Sequence, residues 1–234
     1  MKSSIQDKNR LVNSVFGKVY KKYDLMNDIM SLGVHRIWKN KLIDWMNPQM
    51  NETLIDVASG TGDIAKLFSK RHNHFVKISC VEPNNKMYNI GKMNLEKYKN
   101  IKWFKAKAEK LPFKDNSYNF YTISYGIRNV SDINLSLREA YRVLKPGGRF
   151  MCLEFSKVNN EIINLFYQQY SKLIPFVGKL VAGSSEPYNY LIKSIDEFYT
   201  QNELVNLMEK NGFSNIEYRN LSNGISAIHS GWKV

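Results

Sequence analysis

Thr53-Leu-Ile-Asp-Val-Ala-Ser-Gly-Thr-Gly-Asp-Ile-Ala65 constrains the fold of this 234-residue chain more than any other segment. An apolar run (Leu54, Ile55, Val57) ends in the small-residue turn Ser59-Gly60-Thr61-Gly62, and helical periodicity starts at Asp63. A buried strand, a glycine turn and a helix N-terminus, in that order, are how α/β folds hold a nucleotide-like group at a strand's carboxyl end. Without Cβ atoms, Gly60 and Gly62 let the backbone approach such a group closely. Read as Gly60-x-Gly62-x-x-Ala65, the turn also fits a dinucleotide fingerprint.

The acids around the turn bear on which nucleotide it holds. A pyrophosphate needs the positive end of the helix dipole, yet Asp63 occupies the first helical turn and Asp56 lies at the end of the strand. Two carboxylates there repel phosphate and suit a cofactor with a positive end, such as the ammonium and sulfonium of S-adenosylmethionine (SAM). A second apolar run, Ile78-Ser-Cys-Val-Glu82, ends in an acid placed to accept from a ribose diol. NAD and SAM both carry that diol, so Glu82 supports a nucleoside without choosing between them.

A chain of this length, with 43% hydrophobic residues and 13% aromatics, is a globular domain with appendages rather than a disordered segment. The first ten residues contain no apolar signal core, and no apolar stretch is long enough to span a bilayer. These features point to a cytoplasmic protein. Cys80 and Cys152 fall in expected core strands and read as buried, reduced thiols. The histidines lack metal-site spacing, so no metal is expected. The net charge is +13, with many lysines between Lys86 and Lys114. That basic face suits an anionic membrane surface, nucleic acid, or simply solvent in a lysine-rich chain.

Periodicity predicts an α/β fold. Residues 1–50 read as an N-terminal helical cap, with an amphipathic run at Val12, Val15, Phe16, Val19 and Tyr23, then a helix over 34–46 stopped by Asn47-Pro48. Residues 51–234 read as the cofactor-binding domain. Strands are expected at 53–57, 76–82, 101–105, 118–124 and 149–154, with helices at 63–71, 86–98 and 132–144. Lys145-Pro-Gly-Gly148 reads as a helix stop and reversal. An apolar helix or helix pair over 160–182 lies in a helical insertion at about 158–198; it suits a lid, the wall of an apolar tunnel or a membrane-docking face. A helix at 201–211 and a hairpin of 213–219 with 225–230 close the chain.

These segments together resemble the ubiquinone/menaquinone-biosynthesis C-methyltransferases, within the class I SAM-dependent methyltransferases. The likeness runs from about Val12 to the C-terminus. The glycine turn and Arg142-Val-Leu-Lys-Pro-Gly-Gly148 resemble class I enzymes in general. Gly33-Val-His-Arg36, Ala108-Glu-Lys-Leu-Pro-Phe113 and Leu153-Glu-Phe-Ser156 also carry the likeness, while the Tyr-Asp-Leu-Met-Asn-Asp stretch of Lys22-Tyr-Asp-Leu-Met-Asn-Asp-Ile-Met-Ser31 and the Gly126-Ile-Arg-Asn129 of Ser124-Tyr-Gly-Ile-Arg-Asn-Val130 resemble the quinone family in particular. The resemblance implies a Rossmann-like, seven-stranded, mostly parallel sheet with one antiparallel strand.

The resemblance implies SAM contacts at Thr61, Glu82, Lys107, Ala108 and Ser124, which with Asp56, Ser59, Gly60 and Gly62 of the turn make up the expected cofactor site. Lys107 stands where the family has Asn, and a lysine can only donate where an amide also accepts. The implied reaction moves a methyl group from SAM to a ring carbon of a polyprenylated quinol made nucleophilic by ionising a ring hydroxyl. Arg128 is the first choice for stabilising the phenolate, Asn129 for orienting the ring oxygens, and His35, Tyr23 and Asp24 are candidate bases. The lipophilic quinol is the expected partner, with peripheral association on the inner face of a membrane or with other quinone-synthesis enzymes; homodimerisation stays open, and no nucleic acid is expected. Two other readings stand beside this one: a methyltransferase acting on RNA or another small molecule, and a non-catalytic SAM-fold scaffold.

Overall fold

The computed structural model describes residues 28, 31–49, 51–71, 76–158, 165, 169–170, 174–175 and 185–234. A helix, α1 (His35–Met46), precedes β1 (Thr53–Val57), α2 (Asp63–Arg71), β2 (Lys77–Val81), α3 (Asn85–Asn94), β3 (Ile101–Phe104) and β4 (Tyr118–Ser124). A 3-10 turn at Ile127–Asn129 leads to α4 (Ile133–Val143) and β5 (Leu144–Phe155). The chain closes with α5 (Glu186–Asp196), α6 (Gln201–Lys210), β6 (Ser214–Leu221) and β7 (Ser226–Trp232). The strands form one seven-stranded sheet in the order β3-β2-β1-β4-β5-β7-β6. β1 to β5 pair in parallel, and β7 runs antiparallel between β5 and β6.

Side chains alternate faces along each strand, so neighbours in sequence feed two cores. Leu54 joins Ile78, Met151 and Phe68 in one core, which α1 completes with Trp38, Leu42, Ile43 and Met46. Ile55 and Val57 join Tyr121 and Phe150 in the other, covered by Leu137 and Ala140 of α4 and Leu204 and Met208 of α6. Helices on both faces are what the near-continuous apolar runs of the central strands require. Asn47, left-handed at φ 45°, ends α1 and donates its N–H to the Ile43 carbonyl. Cys80 and Cys152 are buried and free.

Three boundaries depart from expectation. α3 ends at Asn94 instead of running on to 98, and the Asn84 side chain sets its start by accepting from the N–H groups of Lys86 and Met87. β5 begins at Leu144, so Lys145-Pro146-Gly147-Gly148 belongs to the strand rather than reversing the chain. Leu144 pairs with Tyr118, the register shifts, and Arg149 pairs with Phe120. The Gly147 N–H donates to the Lys233 carbonyl at 2.7 Å and the Lys233 N–H to Gly148 at 2.9 Å, which keeps the segment in the sheet. The hairpin lies at 214–221 and 226–232, slightly beyond its expected ends. The helix expected around 12–23 and most of the apolar run at 160–182 lie outside the described residues.

Candidate active site

In a sheet of this order the strand sequence reverses between β1 and β4, where ligands of open α/β sheets bind beyond the carboxyl ends. The chain opens the sheet there with two non-glycine residues in left-handed backbone, Ala58 (φ 53°) after β1 and Tyr125 (φ 55°) after β4. Such residues cluster at ligand sites because the fold holds them against their local preference. The two loops touch: a Cβ on Gly126 would meet the Ala58 Cβ at 2.5 Å.

Hydrogen bonds fix the glycine turn to the strands beside it. Ser59 Oγ donates to the Asp56 carbonyl at 2.5 Å and accepts from the Val81 N–H at 3.1 Å. Glu82 accepts from the Gly60 N–H at 3.0 Å and the Asn84 N–H at 2.8 Å. Burial pushes its carboxyl up to about 7, against the opposing effect of those two bonds. Gly60 and Gly62 have φ of 58° and 91°, so both positions favour glycine.

The cleft over this turn is lined by Asp56, Ser59, Gly60, Thr61, Ser124 and Tyr125, among others. Two of these groups carry buried oxygens without a hydrogen-bond partner, Asp56 Oδ2 and Ser124 Oγ. Asp56 Oδ1 accepts from Thr122 Oγ1 at 2.8 Å, and burial pushes the carboxyl up to about 7. Orphaned buried acceptors are costly unless a ligand supplies donors, so the cleft fits a polar ligand bearing N–H groups. SAM meets that description. Lys107 is exposed and Ala108 buried, both on the loop beyond the carboxyl end of β3.

Asp63 differs from expectation. It is not a bare negative charge: Lys39 Nζ of α1 lies 2.6 Å from its Oδ2. Burial alone would raise the Asp63 carboxyl, but the Lys39 charge and hydrogen bond bring it below the ordinary value. Of the two acids, Asp56 alone has no ion-pair partner among the described residues.

The turn after β4 carries the other half of the site. Arg128 is buried and paired with Glu154 at the end of β5 through Nη1 and Oε1. Nη1 also donates to the Tyr125 carbonyl at 3.0 Å, and Nε to Ser194 Oγ at 3.3 Å. Asn129 Oδ1 accepts from the Tyr190 hydroxyl at 2.8 Å. Helix α5 is thus bonded to both Arg128 and Asn129. His35 is buried at the start of α1, with Nδ1 2.9 Å from Ser31 Oγ. Burial, helped by the Lys39 charge, pushes its imidazole down to about 4, so it is neutral at physiological pH. Tyr23 and Asp24 lie outside the described residues.

Lys39, Glu154, Tyr190 and Ser194 are not among the site residues expected from the sequence. Glu154 carried the same signal as Glu82, an acid closing an apolar run. Tyr190 and Ser194 are four residues apart on one helix face. Among the described residues no group of three or more His, Cys, Asp or Glu could hold a metal ion, and no helix is long and apolar enough to cross a membrane.

Comparison with known proteins places the chain among enzymes. The model of the ubiE/COQ5 methyltransferase family matches residues 2–233. The ubiquinone/menaquinone biosynthesis C-methyltransferase UbiE of Rickettsia prowazekii (strain Madrid E) is 48% identical over 97% of this chain and 94% of its own length. UbiE of Brucella abortus (strain S19) is 44% identical over 97% and 87%. A SAM-dependent methyltransferase from Thermotoga maritima superposes with a TM-score of 0.68 at 20% identity, covering 94% of this chain and 99% of that one. That likeness extends to the fold.

Proposed function

Because the chain belongs to the ubiE/COQ5 methyltransferase family and is a SAM-dependent methyltransferase, we propose that it methylates a ring carbon of a polyprenylated benzoquinol or demethylmenaquinol, a reading in line with relatives named C-methyltransferases of ubiquinone/menaquinone biosynthesis. The observation that carries this reading is that donor and acceptor halves share one loop. Ser124 and Tyr125 line the cofactor cleft, and the Tyr125 carbonyl receives bonds from both Arg128 and Asn129.

Bound SAM supplies an electrophilic methyl group on a sulfonium centre. Asp56, Ser59, Gly60, Thr61, Gly62, Glu82, Ala108 and Ser124 would hold it, with the backbone of Lys107 beside them. The remaining residues must make a ring carbon nucleophilic and keep it aligned, and alignment alone contributes on the order of 7–11 kcal/mol in favourable cases. The Arg128 guanidinium stabilises the oxygen of an ionised ring hydroxyl. Glu154 and Ser194 hold the guanidinium in place. The bond from Tyr190 to Oδ1 and the bond from Nδ2 to the Tyr125 carbonyl fix the Asn129 amide, leaving the second Nδ2 hydrogen to orient a ring oxygen. His35, neutral in the fold, is a candidate to receive the hydroxyl proton, beside Tyr23 and Asp24. A group held at about 4 is a weak base, so phenolate stabilisation by Arg128 carries most of the ionisation.

The lipophilic acceptor and the exposed lysines at 92, 97, 99, 102, 105, 107 and 110 favour peripheral association with an anionic membrane surface. Flotation with anionic liposomes tests this, with salt-sensitive binding expected. Quinone profiling by mass spectrometry in cells lacking the protein tests the main reading: a quinone short of one methyl should accumulate. An unchanged profile would remove the quinol assignment.

A further inference from the structure

The cofactor cleft contains a charge pair that no step above uses. Lys39 reaches it from α1 and Asp63 from the first turn of α2, and both line the cleft with Asp56 and Ser124. The lysine side chain is 7% exposed and the aspartate 40%. An ammonium has three N–H donors, and Asp63 Oδ2 is the single protein acceptor on Nζ among the described residues. A buried cation needs its remaining donors met. Asp56 Oδ2 and Ser124 Oγ line the same cleft and make no bond to Lys39.

An α-amino acid is the complement of this pair, since it presents one carboxylate and one ammonium on a single carbon. SAM carries one such group and no other anion. We propose that Lys39 and Asp63 read the α-amino-acid end of SAM as a unit, Lys39 donating to its carboxylate and Asp63 accepting from its ammonium. The proposal rests on the reading of this cleft as the cofactor's. It gives the pair a specificity role: nucleosides that lack the amino-acid end fit the glycine turn and Glu82 but leave the Lys39 donors unmet. A purely structural Lys39 would instead neutralise Asp63 and support every ligand of the cleft equally.

Calorimetric titration separates these roles with three probes: S-adenosylhomocysteine, its decarboxylated analogue and 5′-methylthioadenosine. Wild-type protein should bind S-adenosylhomocysteine on the order of tenfold or more tighter than the decarboxylated analogue, as expected for a charge-assisted bond. Lys39→Met should lose on the order of tenfold in affinity for S-adenosylhomocysteine and less than about twofold for the other two. Lys39→Arg should restore most of the loss. Equal wild-type affinity for S-adenosylhomocysteine and its decarboxylated analogue would overturn the proposal without any variant. So would a Lys39→Met loss that is the same for 5′-methylthioadenosine. Failure of wild-type protein to bind any of the three would overturn the cofactor reading itself, and the proposal with it.

Discussion

Arg128 and Glu154 form an ion pair inside the protein, with side chains 4% and 2% exposed, joining the turn after β4 to the end of β5. Burial pushes the Glu154 carboxyl up while the Arg128 charge opposes it. Removing one partner leaves an uncompensated buried charge, which costs about 3–5 kcal/mol. Arg128→Met should therefore lower the unfolding free energy by about that amount and abolish methyl transfer. Adding Glu154→Leu should recover most of the stability and none of the activity. Urea unfolding beside an activity assay checks both; a fully active double variant would show that Arg128 is structural alone.

The Tyr190–Asn129 bond makes a narrower prediction. Tyr190→Phe removes one hydrogen bond, worth about 0.5–1.5 kcal/mol of stability, and leaves the Asn129 amide with its longer bond, 3.4 Å to the Tyr125 carbonyl. The expected result is a kcat lower by roughly tenfold with unchanged KM for SAM. An unchanged kcat would mean that the orientation of Asn129 does not matter to the reaction.

Gly62 holds φ 91°, and a Cβ there would meet Leu95 Cδ1 at 2.5 Å and Trp103 Cζ2 at 3.1 Å. Gly62→Ala should cost about 1–3 kcal/mol of stability through overpacking and backbone strain. Because the turn is the floor of the cofactor cleft, binding of S-adenosylhomocysteine should weaken as well. Thermal unfolding with and without this ligand measures both effects; wild-type behaviour in both would contradict the turn's geometry.

Stability should respond to pH through two opposed pairs. Burial holds Asp56 and Glu82 at about 7, above their ordinary values of 3.8 and 4.5. Their contribution is complete below those ordinary values and is lost as pH rises through about 7. Burial holds His35 and His229 at about 4, below 6.5, so their contribution is complete above 6.5 and is lost as pH falls through about 4. The pairs offset between about pH 4.5 and 6.5, and above that window only the acids still titrate. Unfolding free energy should be nearly flat from about pH 5 to 6.5 and then fall. Asp56→Asn should tilt the flat part so that stability rises with pH. Wild-type protein more stable at about pH 8 than at 6.5 would contradict this balance.

The sheet was legible because its evidence is local. Apolar runs bounded by turn chemistry marked β1, β2 and β4, and the cofactor turn announced itself through Gly60 and Gly62. Contacts between distant residues were not legible. Lys39 gave no sign that it would neutralise Asp63, since a lysine on a helix reads as solvated until the helix is docked. Tyr190 and Ser194 lay in a segment read only as a helical insertion, and their partners on the β4 turn come from topology. The start of β5 was missed for a similar reason: Lys145-Pro-Gly-Gly148 reads as a reversal, and pairing of Leu144 with Tyr118 and bonds to Lys233 draw it into the sheet.

The most direct test of the account is to supply purified protein with SAM labelled on its methyl group, together with a polyprenylated quinol lacking one ring methyl and total RNA. The label should appear on a ring carbon of the quinol and not in RNA. Label in RNA, with an unlabelled quinol, would contradict the account.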